Sequence, residues 1–174
     1  MILRIDTEKM TVEKITEEGS TSSNLTLADC FRNFRGEKEF SGMVAEIQKW
    51  YYGFVSQTAW CATAVSFFAN EIGILDQIGG KNDNVYNMMK ACEKSGKGKF
   101  YTKDNIPKAL KKGDVLFWLW KGDTMTASSF KHVGVCEYDT SANLVYCIGG
   151  NQKDKICTLQ YDRTFLYAVF RPEY

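Results

Sequence analysis

From Lys112 onward the apolar residues change period, and this change limits the folds open to the chain. "GDVLFWLW" is a near-continuous apolar run behind a Gly-Asp turn. "HVGVCEY", "NLVYCIGG", "KICTLQY" and "FLYAVFRP" follow at roughly ten-residue intervals, with "DTSAN" and "NQKD" between them. Short apolar runs divided by polar turn residues read as strands in hairpin succession. Upstream the period is helical. Cys61, Ala64, Val65, Phe68, Ala69 and Ile72 recur at spacings of three and four, which predicts a helix over Thr58 to Gly73. Further helices are expected from Leu27 with Thr26 as N-cap, over Met43 to Phe54, and over Val85 to Lys94. Helices first and strands afterwards argue an α+β fold, with N-terminal helices packed on a C-terminal antiparallel sheet of about five strands.

At 174 residues the chain is long enough for one well-covered core. "GSTSSNLT" (Gly19 to Thr26) is its most linker-like stretch. It divides the chain into an N-terminal segment, 1–26, of unassigned role and a folded body, 27–174. Ile2 to Ile15 reads as a strand or hairpin. The net charge of +1 gives no reason to expect nucleic acid or an anionic membrane as partner. No window has the ~18 apolar residues of a membrane span. Asp6, Glu8 and Lys9 interrupt any signal-peptide core, so synthesis in the cytoplasm without a signal peptide is expected. The six cysteines show no Cys-x-x-Cys spacing, and one histidine cannot complete a Cys/His zinc finger. Free thiols are therefore the expectation, with no metal or organic cofactor.

"QTAWCATAVSFF" places Cys61 in the first turn of a helix. There the free N–H groups and the helix dipole lower a thiol's pKa and can hold an oxyanion. The chain's single histidine, His132, opens a strand, a firm seat for a general base. Asn151, at the end of the next strand, comes beside it through the hairpin and offers an amide oxygen to orient the imidazole. Each feature alone has a plain structural reading: a packed thiol, a structural histidine, a turn asparagine. Cys30 and Cys92 lie on predicted helices without the Trp-Cys start, while Cys136, Cys147 and Cys157 lie in predicted strands.

The joint order of "WCATAVSFF", "KKGDVLFW", "HVGVCEYD", "LVYCIGGNQKDKICTLQY" and "YAVFRP" resembles the papain-like cell-wall hydrolases, the NlpC-type and CHAP (cysteine, histidine-dependent amidohydrolase/peptidase) superfamily. The likeness is to the phage-lysin-like branch and covers about Trp50 to Pro172. It implies a papain-like catalytic domain with Cys61 as nucleophile, His132 as base and Asn151 as orienter. Lys112 stands where the family's Pro-Gly-Asp turn has proline, and Lys131 where many relatives have Gly or Ser. Gly149 falls near a position where many members carry Glu. For the second oxyanion donor Tyr51, Tyr52 and Gln57 are candidates. Trp60, Trp118 and Trp120 are candidates to line a groove, although at least one of Trp118 and Trp120 is expected in the core.

The resemblance implies a peptidoglycan hydrolase cutting an amide bond, either an N-acetylmuramoyl-L-alanine amidase or a stem or cross-bridge endopeptidase. It would be a phage or prophage endolysin acting at the bacterial wall after release. The alternatives are an exported antibacterial amidase whose partner is an immunity protein, an inactive wall-binding or phage structural module, and a thiol acyltransferase.

Overall fold

The computed structural model describes residues 3–6, 11–14, 25–120 and 130–174. Two short antiparallel strands near the N-terminus, β1 (Leu3–Asp6) and β2 (Thr11–Lys14), pair from Leu3↔Lys14 to Asp6↔Thr11. The hairpin expected over Ile2 to Ile15 is thus present in these eight residues.

Four helices follow: α1 (Leu27–Asn33), α2 (Gly42–Tyr52), α3 (Cys61–Glu71) and α4 (Val85–Ser95). At the start of α1 the Thr26 N–H donates to Asp29 Oδ2 at 3.1 Å. This satisfies a donor that helix geometry would otherwise leave open. α4 starts with Asn84 Oδ1 accepting from the Asn87 N–H at 3.0 Å. Helix α2 stops at Gly53, whose φ of 82° only glycine adopts freely.

Strands β3 (Lys99–Thr102), β4 (Val115–Leu119), β5 (Phe130–Cys136), β6 (Leu144–Gly149), β7 (Cys157–Asp162) and β8 (Leu166–Arg171) form a six-stranded sheet in the order β3-β8-β4-β5-β6-β7. All its paired neighbours are antiparallel. The expected α+β architecture is present, with one strand more than the apolar runs indicate. The sixth strand, β3, pairs with the last strand of the chain through Lys99↔Arg171 and Phe100↔Phe170.

Alternation sorts the sheet's side chains onto two faces. Val115, Phe117, Val133, Val135, Ile148, Ala168 and Phe170 join the buried helical residues, Val65 and Phe68 among them, in the larger core. Leu116, Trp118, Cys136, Val145, Cys147, Leu166 and Val169 form a second core on the opposite face. Trp118 is fully buried there, and Trp120 packs half-buried at its margin. The turn before β4 depends on Gly113, at φ 93°, where a Cβ would sit 2.7 Å from the Tyr174 ring. Glycine matters at this turn and proline does not, so Lys112 is tolerated. Among the described residues no helix is long and apolar enough to cross a membrane.

Candidate active site

Helix α3 begins three residues later than its apolar period suggests. Trp60 is the N-cap and makes no side-chain cap bond, and Cys61 is the first helical residue. Thr58 does not cap: its hydroxyl donates to Tyr52 Oη at 3.2 Å and lies 2.8 Å from Ser56 Oγ. Cys61 nevertheless remains in the first turn, where the neighbouring backbone N–H groups of Cys61 and Ala62 favour its thiolate.

The β5–β6 ladder pairs Val135 with Ile148 and Cys136 with Cys147, and toward His132 a Cβ on Gly149 would lie 3.3 Å from the Gly134 Cα. Cys61, 4 % exposed, meets the backbone of β5 there, its sulfur within reach of the Val133 N–H. Burial raises the Cys61 pKa above its ordinary value, and the N–H groups of Val133, Ala62 and Cys61 oppose that rise. The thiol is the resting form.

His132 is buried on the second face of the sheet. Its ring lies 5.8 Å from the Tyr161 ring, tilted by 34°. Among the described residues its Nε2 has no hydrogen-bond partner, and burial takes its pKa down from 6.5 to about 4. The imidazole is therefore neutral at pH 7. Thiol and imidazole approach through the His132–Val133 peptide and are not joined at Nε2 by a hydrogen bond.

The β6–β7 turn closes this region. A Cβ on Gly150 would fall 2.4 Å from the Trp60 ring and 2.9 Å from the Ala64 Cβ, so only glycine permits this approach to α3. A Cβ on Gly149 would lie 3.3 Å from His132 Nε2. Asn151 follows, half-buried, at φ 56°, and among the described residues no hydrogen bond joins its amide to His132. The next residue, Gln152, is buried and bonded at both ends of its amide.

Gln57 is exposed on the loop before α3. Tyr52 is half-buried, its hydroxyl 3.4 Å from Asp83 Oδ2. Trp60 is wholly buried with Nε1 donating to Glu39 Oε1 at 3.1 Å, so its ring presents no surface to a ligand in this structure. All six cysteines are free thiols. Among the described residues no group of three or more His, Cys, Asp or Glu is placed to hold a metal ion. Sequence reasoning missed Gln152 and Tyr161. The first stands in the quoted "GGNQ" run directly after Asn151, and the second shares a face of β7 with Leu159, Gln160 between them being exposed.

No protein-family model matches the chain, and no curated protein sequence does. Among solved structures it is similar to a wild-type endolysin, LysIME-EF1, at 12 % identity and a TM-score of 0.45. The similarity covers 85 % of this chain and 63 % of that one, so the chain spans less than two thirds of the endolysin's length.

Proposed function

We propose that the chain is a cysteine hydrolase of phage-lysin type that cleaves an amide bond of bacterial peptidoglycan, with Cys61 as nucleophile, His132 as base and Asn151 as the polar orienter. The observation that carries this reading is the position of Cys61. It begins a helix, has the backbone N–H groups of Cys61, Ala62 and Val133 around its sulfur, and touches the peptide of the chain's single histidine. The ordered motifs shared with the papain-like wall hydrolases point the same way.

The chemistry follows from these groups. The Cys61 sulfur attacks the amide carbonyl carbon while its proton passes to His132, which is neutral and, among the described residues, unpartnered at Nε2. The N–H groups at the start of α3 receive the negative oxygen of the tetrahedral intermediate. The C–N bond then breaks, and the imidazolium returns its proton to the departing amine. His132 next takes a proton from water as the oxygen attacks the thioester, which releases the acid and restores the thiol. Because the resting thiol is protonated, the proton transfer accompanies attack and does not precede it.

The test is muropeptide mass spectrometry on purified walls treated with the wild type or with Cys61→Ser. New amine ends released by the wild type alone support the reading, and fragment masses name the bond, whether sugar–peptide or within the peptide. Absence of release from every wall chemotype, with folded protein and a free Cys61 thiol, favours a binding or structural module. Transfer of the acyl group to an added amine without net release identifies an acyltransferase.

A further inference from the structure

Gln152 is 2 % exposed, although the two residues that follow it, Lys153 and Asp154, are exposed. Its Nε2 donates to the carbonyls of Cys147, Gly149 and Cys157, at 3.2, 3.4 and 2.5 Å. Its Oε1 accepts from the Tyr161 hydroxyl at 2.9 Å. The backbone is held as well: its N–H donates to the Lys155 carbonyl at 3.1 Å, and its own carbonyl accepts from Cys157 Sγ at 3.1 Å. The residues beside it, Asn151, Lys153 and Asp154, all have φ 56°. Lysine rarely adopts that conformation, which persists where surrounding contacts over-determine it.

Both ends of this anchor reach the candidate site. Tyr161 lays its ring against His132 and against Trp118, with centroids 5.8 and 4.9 Å away. His132 Nε2 and Gln152 Nε2 approach the same point, a Cβ position on Gly149, at 3.3 and 3.5 Å. In the same turn Gly150 rests on Trp60 and Ala64 of the nucleophile's helix. The ionisable groups gathered here besides His132 are Tyr161, Cys147, Cys157 and Cys61, all raised in pKa by burial.

We propose that Gln152 and Tyr161 form a positioning unit that fixes the tilt of the His132 ring and ties it to the turn seated on the Cys61 helix. Neither is a catalytic residue. Gln152 acts through Tyr161 and through the turn, and Tyr161 acts through the packing of its ring. The importance of this unit for turnover rests on the hydrolase reading, whereas its hold on the imidazole does not.

The chain's single histidine makes the test direct, because the imidazole NMR signals of His132 have no competitors. They are titrated in the wild type, Tyr161→Phe and Gln152→Leu, with Arg171→Lys as a variant that loosens the fold elsewhere. Tyr161→Phe keeps the ring and cuts its tie to Gln152. It is expected to move the His132 midpoint upward by about half a unit or more as the ring loosens and hydrates. On released muropeptides it should lower kcat by about tenfold with KM little changed. Gln152→Leu should act the same way more strongly, and if it fails to fold Tyr161→Phe decides alone. An unmoved midpoint and unmoved ring shifts in folded Tyr161→Phe overturn the proposal, as does an equal movement in Arg171→Lys. Failure of the wild type to release any muropeptide overturns the hydrolase reading only, since the titration needs no substrate.

Discussion

Gly150 lies so close to Trp60 that a Cβ on it would sit 2.4 Å from Cζ3 and 2.7 Å from Cε3 of the indole. Gly150 is not among the glycines with positive φ, so the requirement for glycine here is steric and not conformational. Trp60 has no exposed surface into which to move. Gly150→Ala should therefore overpack the junction of α3 with the β6–β7 turn, at a cost of about 1–3 kcal/mol. In a chain of this size that lowers Tm by roughly 2–12 °C. Differential scanning calorimetry measures it, and an unchanged Tm would show that the turn does not sit on the helix.

Stability should fall on both sides of a neutral plateau. His132 titrates at 6.5 when unfolded and at about 4 when folded. The unfolded chain therefore binds the extra proton between those values. The contribution is fully present above pH 6.5 and is lost as pH falls toward 4, by up to about 3 kcal/mol. At the alkaline end the sign reverses. Burial raises Cys30 and Cys136 from 9.0 to about 12, so their contribution holds below pH 9 and is lost as pH climbs toward 12. Urea unfolding from pH 4 to 10, compared with His132→Gln, isolates the acid limb. If the variant retains the full slope between pH 6.5 and 4, His132 is not buried as described.

Thiol reactivity should rank by exposure, with the proposed nucleophile slow. Cys157 is half-buried, whereas Cys61 is buried and held protonated. At pH 7.5 iodoacetamide should label Cys157 first, and Cys157→Ser should remove that fast phase. Peptide mass spectrometry after timed quenching reads the order. Fast alkylation of Cys61 at neutral pH would instead mean a thiolate paired with an imidazolium.

The helical and strand periods made the class of fold legible, because burial on one face imposes them locally. What they left out was non-local. β3 is four residues long, begins at Lys99 after a lysine-glycine loop, and becomes a strand only by pairing with β8. The start of α3 was misjudged because Thr58 has cap chemistry but spends its hydroxyl on Tyr52 and Ser56. Within the site, strand alternation was enough to put His132 on the face of Gly134 and Cys136. Its contact with Tyr161 depends on how β5, β6 and β7 align, which no single strand's pattern carries. Gln152 stood in plain view beside Asn151, but its burial is a property of the folded turn.

Two of the sequence motifs prove to be each other's partners. Asp114 of "KGD" is 1 % exposed, and Arg171 of "FRP" donates to it from Nε and Nη2, each at 2.7 Å. Asp114 also accepts from the Lys111 N–H at 2.8 Å, so its carboxylate closes the turn before β4 while the guanidinium holds the end of β8 to it. Arg171→Ala leaves that buried carboxylate without its counter-charge and should cost about 3 kcal/mol. Arg171→Lys keeps the charge but loses the planar two-point grip, so it should cost less. Asp114→Asn removes the charge with the arginine still in place, and Arg171→Ala on that background should then cost distinctly less than it does alone. The four urea midpoints and m-values of this cycle, with Arg171→Lys measured beside them, give the coupling directly. A coupling energy near zero would make the pair incidental, and the two motifs would need another reason to occur together.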